Sequence, residues 1–233
     1  MLENKIIAIA GLKESGKSVA SDMLIYLLNA PKCLRTYNWY TFLKGRSLYK
    51  NWKLTSFAKP LKKCLSALLN VPIDWFENRD NKENTYVSLN TLSLFSKNVL
   101  HNDAILSENK FQKLLKSGEP LPIDNLLSVR QLMQYFGTEV IRRFIGDKTW
   151  INSTLNESNS KNIVVSDLRF KIEMKEIKAR NGRTIYIKRD SAIPGSHASE
   201  KEVLELLDEN QFDDIIDNNG TLEDLFNNLK KII

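Results

Sequence analysis

The residues with the most specific chemical pattern in the chain are Gly11 to Ser18, which read GLKESGKS. They fit G-x-x-x-x-G-K-[ST], with an apolar β-branched run before them and an amphipathic run after them, so they predict a strand, a glycine-rich loop and a helix. Backbone N–H groups of such a loop surround a phosphate, and the positive end of the helix points at the same place. We therefore expect a nucleoside triphosphate here; a glycine turn with a surface lysine is the simpler alternative.

Lys17 is expected to reach the β- and γ-phosphates of this nucleotide, and the Ser18 hydroxyl to ligate Mg²⁺. The loop residues expected to bind the nucleotide are Gly11, Lys13, Glu14, Ser15, Gly16, Lys17, Ser18 and Val19.

A second candidate site is the end of the apolar run Asn162 to Ser166, where Asp167 and Arg169 follow. Ligands of open α/β sheets collect at the carboxyl ends of strands. Asp167 is placed to hold Mg²⁺ or to orient the acceptor, and Arg169 to bridge phosphates. The alternative is that Asp167 caps the next helix and Arg169 is solvated.

The third candidate is the segment SVRQLMQYFGTEVIRRF, residues 128–144. Its apolar residues have helical spacing and predict a buried stripe; they are Val129, Leu132, Met133, Phe136, Val140 and Phe144. Four-residue steps put Arg130, Gln134, Thr138 and Arg142 on the opposite side. Guanidinium groups bind phosphate oxygens well, so this side is a candidate wall for a second phosphorylated ligand. An ordinary solvated face is the alternative.

The elements that must position these residues alternate along the chain. Apolar runs predict five strands, each followed by a segment of helical period, which indicates a parallel sheet with helices on both faces; the runs are Lys5–Ala10, Leu54–Ala58, Asn162–Ser166, Thr184–Lys188 and Asp214–Asp217. A capping-box pattern, TLED from Thr221, predicts a last helix that docks on the sheet. In SFAKPLKKCL and the residues after it, Leu61, Cys64, Leu65 and Leu68 predict a buried helical stripe that begins near Pro60.

The predicted organisation is one α/β domain with an insertion. Residues 1–70 and 145–233 form the core, and residues 71–144 form a mostly helical insertion that binds the acceptor. Residues 31–52 mix basic and aromatic side chains, which suits either a packed connection or a nucleic-acid surface. The packed connection is the more common case.

Composition narrows the classes of function. The net charge of +6 favours anionic ligands, but it is modest for a protein that wraps nucleic acid. No run of 18 apolar residues predicts a membrane span, and the first residues do not resemble a signal peptide. The two cysteines lack metal-ligand spacing and indicate reduced thiols, so we expect a cytoplasmic protein, in the host cytoplasm if it is viral.

Taken in order, several segments resemble bacteriophage deoxynucleoside monophosphate kinases. They are GLKESGKS, SFAKPLKKCL, SVRQLMQYFGTEVI followed by Trp150, VVSDLRF, HASE, and NNGTLEDLFNNLKKI. The resemblance implies a P-loop kinase of three layers, which transfers the ATP γ-phosphoryl group to a deoxynucleoside 5′-monophosphate with Mg²⁺. It leaves base specificity and oligomeric state open, with a homodimer as a reasonable expectation.

The resemblance also implies roles for individual residues. Those matching catalytic positions are Lys17, Arg130, Arg142, Asp167 and Arg169; those matching acceptor-binding positions are Phe57, Lys62, Arg130, Gln134, Thr138, Arg142, Asp167 and Arg169. Ser18 and Asp167 are the expected metal ligands. Arg189 is expected to face the donor, next to a loop with Pro194, Gly195 and His197 that closes over it; a capping box also explains Ser199.

Two other functions fit the same loop. One is a different small-molecule kinase, such as one acting on dephospho-coenzyme A. The other is a nucleic-acid-dependent ATPase, which the basic and aromatic residues 31–52 would favour. If the chain is instead a deoxynucleoside monophosphate kinase, we expect neither a stable nucleic-acid complex nor membrane association.

Overall fold

A computed structural model of the chain describes residues 5–43, 51–88, 93–96, 126–156, 162–192 and 198–233. The strands in these residues are β1 (Ile6–Ala10), β2 (Trp52–Thr55), β3 (Thr85–Ser88), β4 (Ser93–Ser96), β5 (Leu126–Ser128), β6 (Asn162–Val165), β7 (Arg183–Lys188) and β8 (Asp214–Asp217). The α-helices are α1 (Lys17–Asn29), α2 (Tyr37–Leu43), α3 (Ala58–Leu69), α4 (Arg79–Asn84), α5 (Val129–Gln134), α6 (Thr149–Asn156), α7 (Lys171–Lys178), α8 (Ala198–Asp208) and α9 (Leu222–Lys231). A π-helix, Tyr135–Arg142, follows α5, and short 3₁₀ turns lie at Lys32–Leu34 and Ile73–Phe76.

The chain divides into two compact units. The first comprises Met1–Ala58 and Trp150–Ile233, and the second comprises Lys59–Thr149. None of the helices in the described residues combines the length and the apolar sequence that crossing a membrane requires.

The first unit is built on a five-stranded sheet in the order β2-β6-β1-β7-β8, with every neighbouring pair parallel. The five predicted strands are confirmed, although β2 begins two residues and ends three residues earlier than expected, and Ala58 begins α3. The central strand β1 is buried along its whole length. A parallel strand buried on both faces needs apolar side chains at every position, which IIAIA supplies.

Alternate residues of β1 pack into two different cores. Ile6, Ala8 and Ala10 join a cluster with residues of α6, α7 and α8, whereas Ile7 and Ile9 join one with residues of α1 and α9. Successive side chains of a strand point to opposite faces, so helices cover both sides of the sheet. The predicted α/β fold of three layers is confirmed.

Helix α9 begins with the predicted capping box. The Thr221 hydroxyl accepts the Asp224 N–H at 3.2 Å, and the Asp224 carboxylate accepts the Thr221 N–H at 2.8 Å. Leu225, Phe226 and Leu229 are buried. Tyr26, Tyr37 and Tyr40 pack against Phe226, at ring-centroid distances between 5.6 and 6.2 Å. Tyr37 and Tyr40 thus pack as a connection would, whereas Trp39 and Phe42 of the same segment are exposed. Residues 44–50 lie outside the described residues.

The second unit differs from the mostly helical insertion that we predicted, because it contains a three-stranded antiparallel sheet in the order β4-β3-β5. Tyr86 and Val87 of β3 are buried. The strands are only three or four residues long, too short to show a clear alternation of apolar and polar residues. β3 and β4 are close in the sequence, but β5 comes much later in the chain, and local sequence pattern does not encode its pairing with β3.

Two predicted apolar stripes are partly wrong. In α3, Leu61 and Leu65 are buried, but Cys64 is exposed and Leu68 is 46% exposed. The buried side instead continues to Leu69, four residues after Leu65. In the segment 128–144, Val129 and Leu132 are buried, Met133, Phe136 and Val140 are half-buried, and Phe144 is 78% exposed. Phe144 lies beyond a π-helix, where the spacing expected of an α-helix no longer applies.

Candidate active site

The loop between β1 and α1 has a backbone that only particular residues tolerate. Gly11 has φ +153° and Gly16, which precedes α1, has φ +90°. A Cβ on Gly11 would lie 2.6 Å from the Ser15 hydroxyl and 2.8 Å from the Ile187 carbonyl oxygen. Glu14 is also left-handed, with φ +65°. The glycines of the motif are therefore required by conformation and by close packing.

Lys17 folds back over the start of this loop. Its Nζ donates to the Gly11 carbonyl at 2.8 Å and also to the Leu12 carbonyl. The pKa of Lys17 is lowered to about 8, mainly by burial and secondly by the positive charge of Arg169. The negative charges of Glu200 and Asp167 act in the opposite direction and raise it. Lys17 therefore interacts here with three charged groups that lie at least 150 residues later in the sequence. The predicted residues Lys17, Asp167 and Arg169 are brought together.

The Ser15 side chain is 1% exposed, and its hydroxyl has no hydrogen-bond partner among the described residues. Buried polar groups are normally paired, so an unpaired one inside a ligand-binding loop needs an explanation. A site that is complete only with a phosphate present is one such explanation.

Asp167 caps a helix, but not the one that the sequence suggested. Its Oδ1 accepts the Phe57 N–H at 2.6 Å and its Oδ2 accepts the Ala58 N–H at 3.0 Å, so it caps the start of α3. The next helix, α7, is capped by Glu173, whose carboxylate accepts the N–H groups of Arg169 and Phe170. Each Asp167 oxygen keeps a second lone pair for another ligand.

The remaining predicted donor and metal residues lie around the same loop or the same sheet edge. Ser18 is exposed at the start of α1, beside half-buried Val19, and Lys13 is exposed. Arg189 follows β7 and is exposed. Phe57 is buried in the apolar core of the first unit. Pro194, Gly195 and His197 lie outside the described residues.

One residue at this edge was missed by the sequence analysis. Asn218 follows β8 and donates its side-chain amide to the Ser15 carbonyl at 2.8 Å. Only the order of the strands brings it there, 203 residues after Ser15. The signal in the sequence was the polar pair Asn218 and Asn219 directly after a strand.

The second unit holds its own group of cations. Arg130 donates to the Glu83 carboxylate at 3.1 Å, and Lys62 lies 2.5 Å from the Glu77 carboxylate. Burial, and next the positive charge of Lys62, lower the pKa of Lys82, with Arg130 acting in the same direction and Glu77 opposing it. Lys62 and Arg130 are therefore each close enough to Lys82 to repel its charge. Lys82 was not predicted.

The predicted polar side of the segment 128–144 is modified by its π-helix. Arg130, Gln134 and Thr138 are exposed, whereas Arg142 is half-buried. Because π-helical bonds run from i to i+5, four-residue steps after Gln134 no longer return to the same side. π-Helical turns are rare and frequent at functional sites, so the departure itself marks this segment.

Comparison with known proteins identifies the family of the chain. A profile of the family described as deoxynucleotide monophosphate kinase matches residues 5–229, nearly the whole chain. The chain belongs to the deoxynucleotide monophosphate kinase family. It is accordingly a phosphotransferase that acts on deoxynucleoside monophosphates, which confirms the predicted class of enzyme. Among the curated proteins, none matches the chain significantly.

The kinase should lose stability when Gly11 is replaced by alanine. Left-handed backbone costs alanine about 1–3 kcal/mol, and the clash with the Ile187 carbonyl adds about 1–3 kcal/mol. Gly146 is a matched control, since its φ is +150° but the nearest atom to a new Cβ lies 3.7 Å away. Urea unfolding should show a larger loss for Gly11→Ala than for Gly146→Ala. Equal losses would mean that the close packing of Gly11 is unimportant.

The lowered pKa of Lys17 predicts a pH dependence of nucleotide use. The protonated amine attracts phosphate, and in the free enzyme that proton is lost near pH 8 instead of near 10.5. We expect kcat/KM for the nucleotide to fall as pH rises above about 8. Bound phosphates stabilise the charged amine, so kcat should decline only at higher pH. The same turning point in both profiles, measured by coupled assay, would contradict this assignment.

Proposed function

We propose that the chain transfers the γ-phosphoryl group of ATP to the 5′-phosphate of a deoxynucleoside monophosphate, with Mg²⁺, for the synthesis of deoxynucleoside triphosphates. The observation that carries the proposal is the glycine-bounded loop with Lys17 folded onto its carbonyl oxygens. Such a loop holds the β- and γ-phosphates in P-loop enzymes. Membership of the kinase family supplies the acceptor.

The donor phosphates would bind where the Lys17 amine now contacts carbonyl oxygens. A phosphate oxygen is a stronger acceptor for a cation than a carbonyl, so Lys17 would exchange the Gly11 carbonyl for phosphate at little geometric cost. The amides of Lys13 to Val19 and the amino end of α1 add partial positive charge. Arg189, which is exposed directly after β7, would contact the nucleotide.

Mg²⁺ would be held by the Ser18 hydroxyl and by Asp167. Within the described residues, no three His, Cys, Asp or Glu side chains are grouped closely enough to hold a metal by themselves. This donor set fits Mg²⁺, which keeps waters and binds through one or two side chains together with substrate phosphates. The ion would neutralise charge on the transferring phosphoryl group. Asp167 suits the role because its amide partners leave one lone pair on each oxygen.

The acceptor monophosphate would bind the cations of the second unit. Arg130 and Lys62 are paired with exposed glutamates, Glu83 and Glu77. The Arg130–Glu83 pair is exposed on both sides and contributes little stability, so a doubly charged phosphate can displace the Glu83 carboxylate. The Lys62 side chain is only 12% exposed, and a phosphate would replace the exposed Glu77 as the partner of its amine. Gln134 and Thr138 offer polar groups on the same segment, and Arg142 a third guanidinium. We keep Phe57 as a predicted contact for the acceptor, although it is buried in the first unit.

The reaction needs positioning and charge neutralisation more than proton transfer. An oxygen of the acceptor phosphate attacks the γ-phosphorus in line, the bond to the β-phosphate oxygen breaks, and ADP leaves. That attacking oxygen is already ionised, so no general base is required. Lys17 and Arg169 would stabilise charge on the donor phosphates, and Arg130 and Arg142 charge on the acceptor phosphate. Within the first unit, Arg169 is close enough to Lys17 to lower its pKa.

The setting of the enzyme is part of the proposal. Cys33 and Cys64 are free and exposed, which suits a reducing cytoplasm, in an infected host if the chain is viral. A homodimer without a stable nucleic-acid complex is the assembly we expect.

A coupled assay with ATP, Mg²⁺ and each common deoxynucleoside monophosphate tests the function. We expect diphosphate products, and Lys17→Ala should lower kcat about 100-fold or more because a phosphate-directed cation is lost. Arg130→Ala should raise the acceptor KM about 10- to 100-fold, the value of a charged hydrogen bond, and leave the ATP KM unchanged.

Arg143→Ala is a control, since it removes an exposed arginine of the same segment. Transfer to dephospho-coenzyme A only, or DNA-stimulated ATP hydrolysis without transfer, would replace the proposal. A collapse of ATP affinity in Arg130→Ala would mean that the division into donor and acceptor residues is wrong.

Asp167→Asn separates the metal role from the helix cap. Asparagine keeps one oxygen to accept an N–H of α3, so the melting temperature should fall only modestly, while the charge that holds Mg²⁺ is lost. We expect the Mg²⁺ concentration for half-maximal activity to rise about 10-fold or more, the range seen when metal sites are weakened. An unchanged Mg²⁺ dependence with lower stability would leave Asp167 with a capping role only.

A further inference from the structure

Asn218 connects three segments at the sheet edge that carries the phosphate loop. Its side-chain amide donates to the Ser15 carbonyl at 2.8 Å, and its backbone N–H donates to the Lys188 carbonyl at 2.8 Å. The residue is 7% exposed. The phosphate loop, the end of β7 and the end of β8 are thus tied together through one buried asparagine.

The space beside Asn218 depends on Gly16. A Cβ on Gly16 would lie 2.3 Å from the Asn218 Nδ2, which is shorter than any non-bonded contact allows. The adjacent Asn219 is exposed and binds Asp190 and Asp217 instead. The two consecutive asparagines therefore have different tasks, and only Asn218 reaches the loop.

The hydrogen bond fixes the orientation of one peptide group. The described peptide bonds include no cis bond, and in a trans peptide the C=O and the following N–H point in opposite directions. When Asn218 holds the Ser15 carbonyl, it also fixes the Gly16 N–H on the other side of the plane. Glycine adopts many backbone conformations at low cost, so this peptide could rotate easily without a donor. A rotated peptide would present a carbonyl oxygen where an amide is needed.

We propose that Asn218 is a positioning residue of the phosphate loop, which keeps the Ser15 carbonyl turned away from the bound phosphates and the Gly16 amide available to them. The inference rests on the proposed donor site and goes beyond it, because Asn218 need not touch the nucleotide. We therefore expect Asn218 to affect the affinity for any ligand whose phosphates occupy the loop, whether or not that ligand carries a base.

The experiment compares Asn218→Ala and Asn218→Asp with the wild-type chain, using ADP and inorganic pyrophosphate as probes in isothermal titration calorimetry. Alanine removes the donor, and aspartate keeps the size of the side chain but cannot donate when ionised. We expect both variants to bind both probes about 10-fold more weakly, which corresponds to one buried hydrogen bond with an unsatisfied partner. In the coupled assay, the ATP KM should rise and the acceptor KM should stay unchanged.

Asn228→Ala is the matched control. It removes another asparagine amide that donates to a backbone carbonyl, that of Asp217 at 3.3 Å, but does not contact the loop. Its affinities should equal those of the wild type. Binding is measured well below the melting temperature of each variant, where nearly all molecules are folded. A loss of stability then leaves Kd unchanged, and any misfolded fraction lowers only the number of competent sites.

Three other results would overturn the inference, and a fourth would overturn only the acceptor half of the proposed function. If ADP binding weakens but pyrophosphate binding does not, Asn218 acts on the base or sugar. If only the number of competent sites falls, its role is limited to stability. If the wild type binds neither probe, the donor site itself is wrong, and Asn218 falls with it. If the wild type and variants behave as expected but no monophosphate is phosphorylated, the acceptor half of the proposed function fails and the role of Asn218 stands.

Discussion

Parallel pairing of β6, β1, β7 and β8 is the constraint on which the donor site depends. Because these strands run in one direction, the residues that follow them must meet at the same edge of the sheet. Gly11, Asp167, Arg189 and Asn218 each come directly or closely after one of those strands. Helices bury both faces of the sheet, so the strand ends cannot shift, and a loop with unfavourable backbone angles is held between them. The core therefore determines the position of groups that take no part in it.

This arrangement gathers positive charge before any ligand is present. Lys17 is partly desolvated and lies near Arg169, and both effects oppose its protonation in the free protein. Glu200 and Asp167 offset part of that cost. In the second unit, Glu77 and Glu83 in the same way oppose the lowering of the Lys82 pKa by burial, Lys62 and Arg130. Because these carboxylates offset the repulsion between the cations only in part, a bound phosphate can offset the remainder. The site can therefore favour a dianion over water.

Sequence patterns predicted those features that depend on local physics. β-Branched runs marked the five parallel strands, the spacing of glycines and Lys17 marked the loop, and TLED marked the start of α9, because each is determined by neighbouring residues. Two features set by partners distant in the chain were missed: the pairing of β5 with β3, and the contact of Asn218 with Ser15. The exposure of Phe144 was misjudged for a different reason, the π-helix that precedes it. Periodicity cannot describe a helix whose hydrogen-bond pattern changes partway along.

Asp167 shows why a structural role does not exclude a catalytic one. The sequence offered a choice between helix cap and metal ligand, and the structure places both carboxylate oxygens on backbone amides of α3. Those hydrogen bonds hold the carboxylate in one orientation. A carboxylate oxygen accepts two partners, so the same bonds that cap the helix leave one directed lone pair on each oxygen, and the loop that holds Lys17 is near enough for the charges to interact. The helix cap therefore pre-orients the carboxylate, which is the arrangement that a metal ligand requires.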